Sequence, residues 1–145
     1  MTNPQSKTPN KILSIDPGTK KAGVAIVNKS GNPIFTKIIN HENSFNTQLE
    51  KIIEKHKPDT IIIGNGTNSK FFFKAINSIT NENIPIELID ETGSSAQARS
   101  EFFSEMPLLK RLFALISYAL GFSRIEIDDR VAVILANKYI KSQNR

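Results

Sequence analysis

The chain has 145 residues, a formal net charge of +5 and no cysteine. This length predicts one domain, and the lack of cysteine excludes disulfide bonds, thiolate metal sites and a cysteine nucleophile. The positive charge favours a polyanionic partner without identifying which one. Apolar runs are much shorter than the about 20 residues of a membrane-spanning helix, so we expect a cytoplasmic location and no membrane partner.

Residues 1–10 are polar and contain two prolines, which is typical of a disordered arm. Residues 11–141 are predicted to form the single folded domain, and residues 142–145 a short tail.

Short apolar runs bounded by turn residues predict five strands along the chain: residues 11–16, 22–28, 33–39, 60–64 and 84–90. Helical spacing of apolar residues predicts helices before the fourth and fifth strands and at the end of the chain. The order βββαβαβα predicts an α/β fold, with a mixed five-stranded sheet flanked by helices. An extra apolar helix is predicted at 108–120, before the last one.

Three consecutive phenylalanines, residues 71–73, lie in the second predicted helix. Aromatic rings can stack on bases, but a helix points three successive side chains in different directions. We therefore predict that one or two of these rings belong to the core.

Acidic residues stand at three element ends. Asp16 ends the first strand, Asp90 and Glu91 end the fifth, and Asp128 and Asp129 begin the last helix. If the first, fourth and fifth strands are parallel neighbours, their carboxyl ends meet in the crevice where such sheets bind ligands. Converging carboxylates repel one another unless a hard cation such as Mg²⁺ binds them. Two such ions can activate water against a phosphodiester.

Each acidic residue also has a purely structural interpretation. Asp16, Pro17 and Gly18 suit the first three positions of a β-turn, and either aspartate of the last helix suits an N-cap. Within that helix Asp128 shares a stripe with Ala132, so it is predicted to look toward the sheet.

Polar and basic residues near the same strand ends are candidates for nucleic-acid binding. They are Thr19, Lys20, Lys21, Asn65 and Arg99. The first three follow Asp16 on its turn, Asn65 lies in the segment GNGT (64–67) before a helix, and Arg99 would extend the basic face. The alternative is that these are ordinary solvated surface residues.

Four segments resemble the YqgF/RuvX family of RNase H-like nucleases: ILSIDPGTKKAGVAIV (12–27), PDTIIIGNGTNS (58–69), IDETGSSAQARSEFF (89–103) and IDDRVAVILANKYI (127–140). The resemblance implies an RNase H-like fold, and its members are described as pre-16S ribosomal RNA processing nucleases and as candidate Holliday junction resolvases. It also implies that Asp16, Glu91 and Asp128 hold Mg²⁺ or Mn²⁺ as catalytic ligands.

Two positions depart from that family. Thr92 stands where the family usually has arginine, which removes a potential phosphate contact. The GNGT segment is more similar to the related domain of Tex-type transcription-accessory proteins, in which the carboxylates are often missing and nucleic-acid binding is the accepted role. This chain retains the carboxylates.

The expected function is therefore a metal-dependent endonuclease acting on structured nucleic acid, foremost pre-16S ribosomal RNA. RNA is favoured over DNA, and the protein is expected to be a monomer or a homodimer. Two alternatives remain open. One is Holliday junction resolution, which requires two active sites and thus a dimer. The other is a non-catalytic nucleic-acid-binding module.

Overall fold

A computed structural model describes residues 9–42, 44–66, 68–80, 83–90 and 128–144, with the backbone alone at 128 and 129. The elements in chain order are β1 (Lys11–Pro17), β2 (Lys21–Asn28), β3 (Pro33–Asn40), α1 (Phe45–His56), β4 (Thr60–Gly64), α2 (Ser69–Ile79), β5 (Ile86–Ile89) and α3 (Asp128–Gln143). The predicted apolar helix at 108–120 and most of the predicted arm lie outside the described residues. Helix α3 continues to Gln143, into the residues predicted as a tail.

The five strands form one mixed sheet in the order β3-β2-β1-β4-β5. The first three strands are an antiparallel meander, and β4 runs parallel to both β1 and β5. The predicted α/β fold with its mixed five-stranded sheet is therefore confirmed. Because β1, β4 and β5 are parallel, their carboxyl ends lie together, and we call this the carboxyl end of the sheet.

Successive side chains of each strand point to opposite faces of the sheet, and this divides the core into two layers. The first layer joins one sheet face to α1 and α2 through Leu13, Ile15, Ala22, Val24, Ile26, Ile39, Phe45, Leu49, Ile52, Ile61, Ile63, Phe72 and Ile76. The second layer joins the other face to α3 through Ile12, Ala25, Val27, Ile62, Val131, Ala132, Ile134, Leu135, Ala136, Tyr139 and Ile140. Strand β4, with the sequence TIIIG, contributes to both layers and is buried along its whole length, as expected for a strand covered on both faces.

The direction of α3 is fixed by contacts near its carboxyl end. Asn137 Nδ2 donates a hydrogen bond of 3.2 Å to the backbone oxygen of Gly31, in the turn between β2 and β3. Tyr139 Oη donates one of 3.0 Å to Glu87 Oε1 on β5. The Gly31 turn lies at the amino end of β1, so α3 runs antiparallel to β1. Its first turn therefore points toward the carboxyl end of the sheet.

The first chain reversal is shorter than the five residues, 17–21, that separate the predicted strands. Pro17 stays in β1, paired with Ala22, and the chain turns at residues 18–20. A Cβ atom on Gly18 would overlap the backbone oxygen of Lys21, so the tight turn requires glycine at this position. The interpretation of Asp16 as the first residue of a β-turn does not hold, because the strand pairing extends beyond that residue.

Helix α1 ends at a histidine packed against β3. The rings of His56 and Phe35 lie 5.0 Å apart between centroids. Burial lowers the pKa of His56 below its ordinary 6.5, and the positive charges of Lys55 and Lys11 lower it further. Lys57 then adopts a left-handed conformation with φ of 49°, which ends the helix just before Pro58.

The three phenylalanines divide as expected for a helix. Phe72 is fully buried, Phe73 packs partly against the first layer, and Phe71 is 61 % exposed. Among the described helices, none has the length and apolar character to cross a bilayer.

Candidate active site

Asp16 lies in the last part of β1, opposite Gly23 of β2. Its neighbours Ile15 and Leu13 face the first core layer, while Ile12 faces the second. Alternation along the strand therefore directs the Asp16 side chain to the α3 side of the sheet. Asp16 is half-buried, and Gly23 opposite it contributes no side chain. Asp16 is thus a strand residue at the carboxyl end of the sheet, in the position that the metal-site hypothesis requires.

Ser14 precedes Asp16 on the same sheet face and is fully buried. Its strand neighbours are Ala25 on β2 and Ile62 on β4, both in the second core layer. The Oγ atom has no hydrogen-bond partner among the described residues. Buried hydroxyls are normally hydrogen-bonded, so this one is an unusual polar atom beneath α3.

Asp90 directly follows β5 at the same end of the sheet. The backbone N–H of Asn65 donates to the backbone oxygen of Ile89 at 2.8 Å, which continues the pairing of β4 and β5 beyond Gly64. Asp90 is exposed, and its backbone oxygen accepts a 3.4 Å hydrogen bond from Lys138 Nζ on α3. Glu91, the predicted catalytic glutamate, is the next residue and lies outside the described residues, as does Thr92.

Asp128 is the first residue of α3. Ala132, Leu135 and Tyr139, which follow Asp128 at helical spacing, are buried in the second core layer. The helix rises about 16 Å between Asp128 and Tyr139, and β1 rises about 13 Å between Ile12 and Asp16. The two elements therefore match in length, and the start of α3 lies toward the carboxyl end of the sheet. Only the backbone is described at Asp128 and Asp129.

The nucleic-acid candidates occupy the loops at this end. Thr19 and Lys20 are exposed on the turn after β1, and Lys21 begins β2 half-buried. Asn65 is exposed directly after β4. Arg99 lies outside the described residues. The structure thus gathers four of the five candidates around the end of the sheet that holds Asp16.

Two further residues at this end escaped the sequence analysis. Asn68 Nδ2 donates a 3.1 Å hydrogen bond to the backbone oxygen of Gly18, which ties the start of α2 to the turn after β1. The backbone N–H of His41 donates to the backbone oxygen of Lys20 at 2.9 Å. An asparagine just before a helix reads as an N-cap, but this side chain makes no capping bond. Its partner lies 50 residues away, so no local pattern could have revealed the contact.

The oxygen donors at this end suit a hard cation. Asp16 and Asp90 offer carboxylates, the ligand type that Mg²⁺ takes in proteins. No group of three His, Asp or Glu side chains able to hold a metal occurs within the described residues. Glu91 and the side chain of Asp128, which complete the predicted ligand set, lie outside the described residues.

A separate cavity of about 300 Å³ lies at the other end of the sheet, where Tyr139 and Glu87 meet Thr60, the first residue of β4. Burial raises the pKa of Tyr139, and its hydrogen bond to Glu87 raises it further. The residues lining this cavity do not include Asp16, so we do not assign the catalytic chemistry to it.

The fold is similar to those of solved Holliday junction resolvases. Fowlpox virus resolvase in complex with its substrate Holliday junction DNA is 16% identical, with a TM-score of 0.66 over 93% of this chain and 99% of that chain. Thermus thermophilus RuvC is 11% identical, with a TM-score of 0.56 over 92% of this chain and 96% of that chain. At these identities the likeness establishes the fold, and the predicted RNase H-like fold is confirmed.

The sequence comparisons identify the family. No curated protein sequence matches the chain. The family profile described as Tex protein YqgF-like domain matches residues 10–113, more than two thirds of the chain. The match agrees with the predicted YqgF relationship and with the Tex-like GNGT segment, and it ends before α3. The chain belongs to the Tex protein YqgF-like domain family.

Proposed function

We propose that this protein is a metal-dependent endonuclease that hydrolyses phosphodiester bonds of structured nucleic acid. The observation that carries the proposal is the placement of Asp16. Asp16 lies at the carboxyl end of the sheet, on the face covered by α3, and both Asp90 and the start of α3 lie toward the same end of the sheet. Open sheets of this kind bind ligands in that crevice.

In the proposed site Asp16, Glu91 and Asp128 hold Mg²⁺ or Mn²⁺. The bound metal would supply Lewis-acid stabilisation and an activated water. The chain's own contribution is to hold the carboxylates on rigid elements and to position the phosphate. Thr19 and Lys20 on the exposed turn contact the phosphate backbone beside Asp16, which orients the substrate whatever its sequence.

The substrate in this proposal is a ribosomal RNA precursor in the cytoplasm, with RNA preferred to DNA. A second candidate is Holliday junction resolution, which is supported by the similarity to fowlpox virus resolvase bound to Holliday junction DNA. That reaction requires two sites on one four-way substrate and hence a homodimer, whereas the precursor reaction is open to a monomer.

A third candidate, a non-catalytic nucleic-acid-binding module, is supported by membership of the Tex YqgF-like family and by Thr92. Calorimetry with Mn²⁺ separates it from the enzyme, because a module without the metal site would give the same heat for wild type and for Asp16→Asn.

Cleavage assays on the Asp16→Asn variant test the main proposal. Purified protein is incubated with pre-16S RNA, single-stranded RNA and a four-way DNA junction, with and without Mn²⁺. We expect cleavage in the presence of metal, and a loss of about 100-fold or more in the variant, as when one charge-stabilising group is removed from an active site.

The matched control is Glu50→Gln, which removes an exposed carboxylate on α1 and should cleave like the wild type. Circular dichroism checks that both variants are folded. Full activity of Asp16→Asn would exclude Asp16 from the catalytic site.

A further inference from the structure

Phe71 is an exposed aromatic ring at the carboxyl end of the sheet. It lies in the first turn of α2, and 61 % of its surface is exposed. The next residue, Phe72, is fully buried in the first core layer. The core therefore accounts for Phe72 and leaves the ring of Phe71 at the surface.

The surroundings hold Phe71 in place. Its ring lies 5.6 Å from that of Phe72, nearly perpendicular at 89°, and 6.4 Å from the ring of His41. His41 is bonded through its backbone to Lys20, and the Asn68 side chain ties the start of α2 to Gly18. Phe71 is thus attached to the turn that follows Asp16, on the α2 side of that turn, while Asp16 lies on the α3 side.

The charges around Phe71 suit a polyanion. Lys70 is adjacent and Lys74 lies three residues further on the same helix, and both are exposed. Helix α2 contains no acidic residue, and Lys20 is exposed on the turn beside it. One acidic residue also lies close in sequence to this group: Glu42 follows His41 and is exposed. An exposed aromatic ring among lysines is the arrangement that single-stranded nucleic-acid sites use, with bases on the ring and phosphates on the cations.

We propose that Phe71, supported by His41, is a stacking platform for an unpaired base of the substrate. The inference rests on the proposed nuclease function and names its substrate class: nucleic acid with unpaired nucleotides beside the cleaved bond. The strand passes from the carboxylate of Asp16 across the turn at Lys20 to the ring of Phe71. A fully paired duplex keeps its bases stacked internally and gains nothing from this ring.

Binding measured without metal tests the platform independently of cleavage. Fluorescence anisotropy in EDTA compares a labelled single-stranded RNA with an abasic strand of the same length, which has the same charge but no bases. We expect the wild type to prefer the strand with bases. Phe71→Leu should weaken binding of that strand by about 5- to 150-fold, the range for one stacked base, and leave the abasic strand unaffected.

Two other variants serve as controls. Phe71→Tyr keeps an aromatic face and should retain the preference for bases. Ile34→Ala removes a similarly exposed apolar side chain, 49 % exposed on β3 near the opposite end of the sheet, and should bind like the wild type. Because Phe71 is mainly exposed, its replacement by leucine should not unfold the protein, and circular dichroism checks this.

The inference is overturned if Phe71→Leu and wild type discriminate equally between the two strands, or if the wild type shows no preference for bases. Loss of self-association in Phe71→Leu, seen by sedimentation, with unchanged base preference would assign the ring to a protein contact instead. If the protein prefers the strand with bases through Phe71 but cleaves none of the nucleic acids tested, only the nuclease proposal is refuted. If the protein cleaves nucleic acid but shows no such preference, only the stacking platform is refuted.

Discussion

Replacing Ser14 with alanine should make the protein more stable. Ser14 is fully buried in β1, and its Oγ atom has no hydrogen-bond partner among the described residues. A buried polar group left unpaired costs about 1–3 kcal/mol, because it loses its bonds to water on folding. The alanine side chain removes that group and keeps the Cβ atom that packs between Ala25 and Ile62.

The expected size of the effect follows from two opposing terms. Relief of the unpaired hydroxyl contributes about 1–3 kcal/mol of unfolding free energy. Lost packing opposes it by less than about 0.8 kcal/mol, the value for burying a methylene group. With the full packing loss subtracted, the net gain is about 0.2–2.2 kcal/mol, which corresponds to a rise of up to several degrees in the melting temperature of a domain of this size.

Thr60→Val is the matched control. Thr60 is also buried, on the neighbouring strand β4, but its Oγ1 donates a 3.2 Å hydrogen bond to the backbone oxygen of Pro85. Its replacement by valine keeps the shape and removes a satisfied bond, so it should destabilise the protein by about 1 kcal/mol. Urea unfolding followed by circular dichroism measures both variants, and the two should shift in opposite directions. A destabilised Ser14→Ala variant would show that the hydroxyl is hydrogen-bonded in solution and would refute the reasoning.

Two further effects are expected. Asn68→Ala should lower the unfolding free energy by about 1 kcal/mol, through loss of the bond to Gly18, and the melting temperature by about 2–4 °C. Asn77→Ala, at an exposed site on α2, should lower neither quantity. If the Asn68→Ala and Asn77→Ala variants are equally stable, the bond to Gly18 is not a stabilising contact. Stability should also fall as the pH drops below 6.5, because burial and nearby lysines depress the pKa of His56 in the folded state. As the pH falls, His56 binds a proton in the unfolded chain before it does so in the folded protein. The free energy of unfolding therefore decreases by at most about 1.4 kcal/mol per pH unit. His56→Gln should flatten this slope in urea titrations across that range, and an unchanged slope would assign it to other groups.

Much of the sheet could be predicted because its signals are local. The run TIIIG reads as a strand covered on both faces, and the structure buries it fully. Alternation along β1 likewise places Asp16 on one face once the strand is known. The prediction failed at Pro17, where turn chemistry in the sequence competed with strand pairing. The pairing of Pro17 with Ala22 prevailed and shortened the reversal to residues 18–20.

The remaining features of the site depend on contacts that no local pattern contains. The bond between Asn68 and Gly18 joins residues 50 positions apart. Phe71 is exposed because Phe72, rather than Phe71, is buried in the first core layer. Which of the two is buried depends on how α2 is rotated against β4. The sequence predicts that some of the three rings are buried, but only the packed structure identifies Phe72 as the buried one.

The two core layers also give the domain an order of assembly. Helices α1 and α2 are synthesised between the strands that they cover, so the first layer can close while the chain is still emerging from the ribosome. The strand residues of the second layer pack against α3, the last of the described elements to be made. Asp16 lies on that later face. The proposed catalytic carboxylate therefore lacks its covering helix until α3 has been made, and the same helix carries Asp128, another ligand of the proposed metal site.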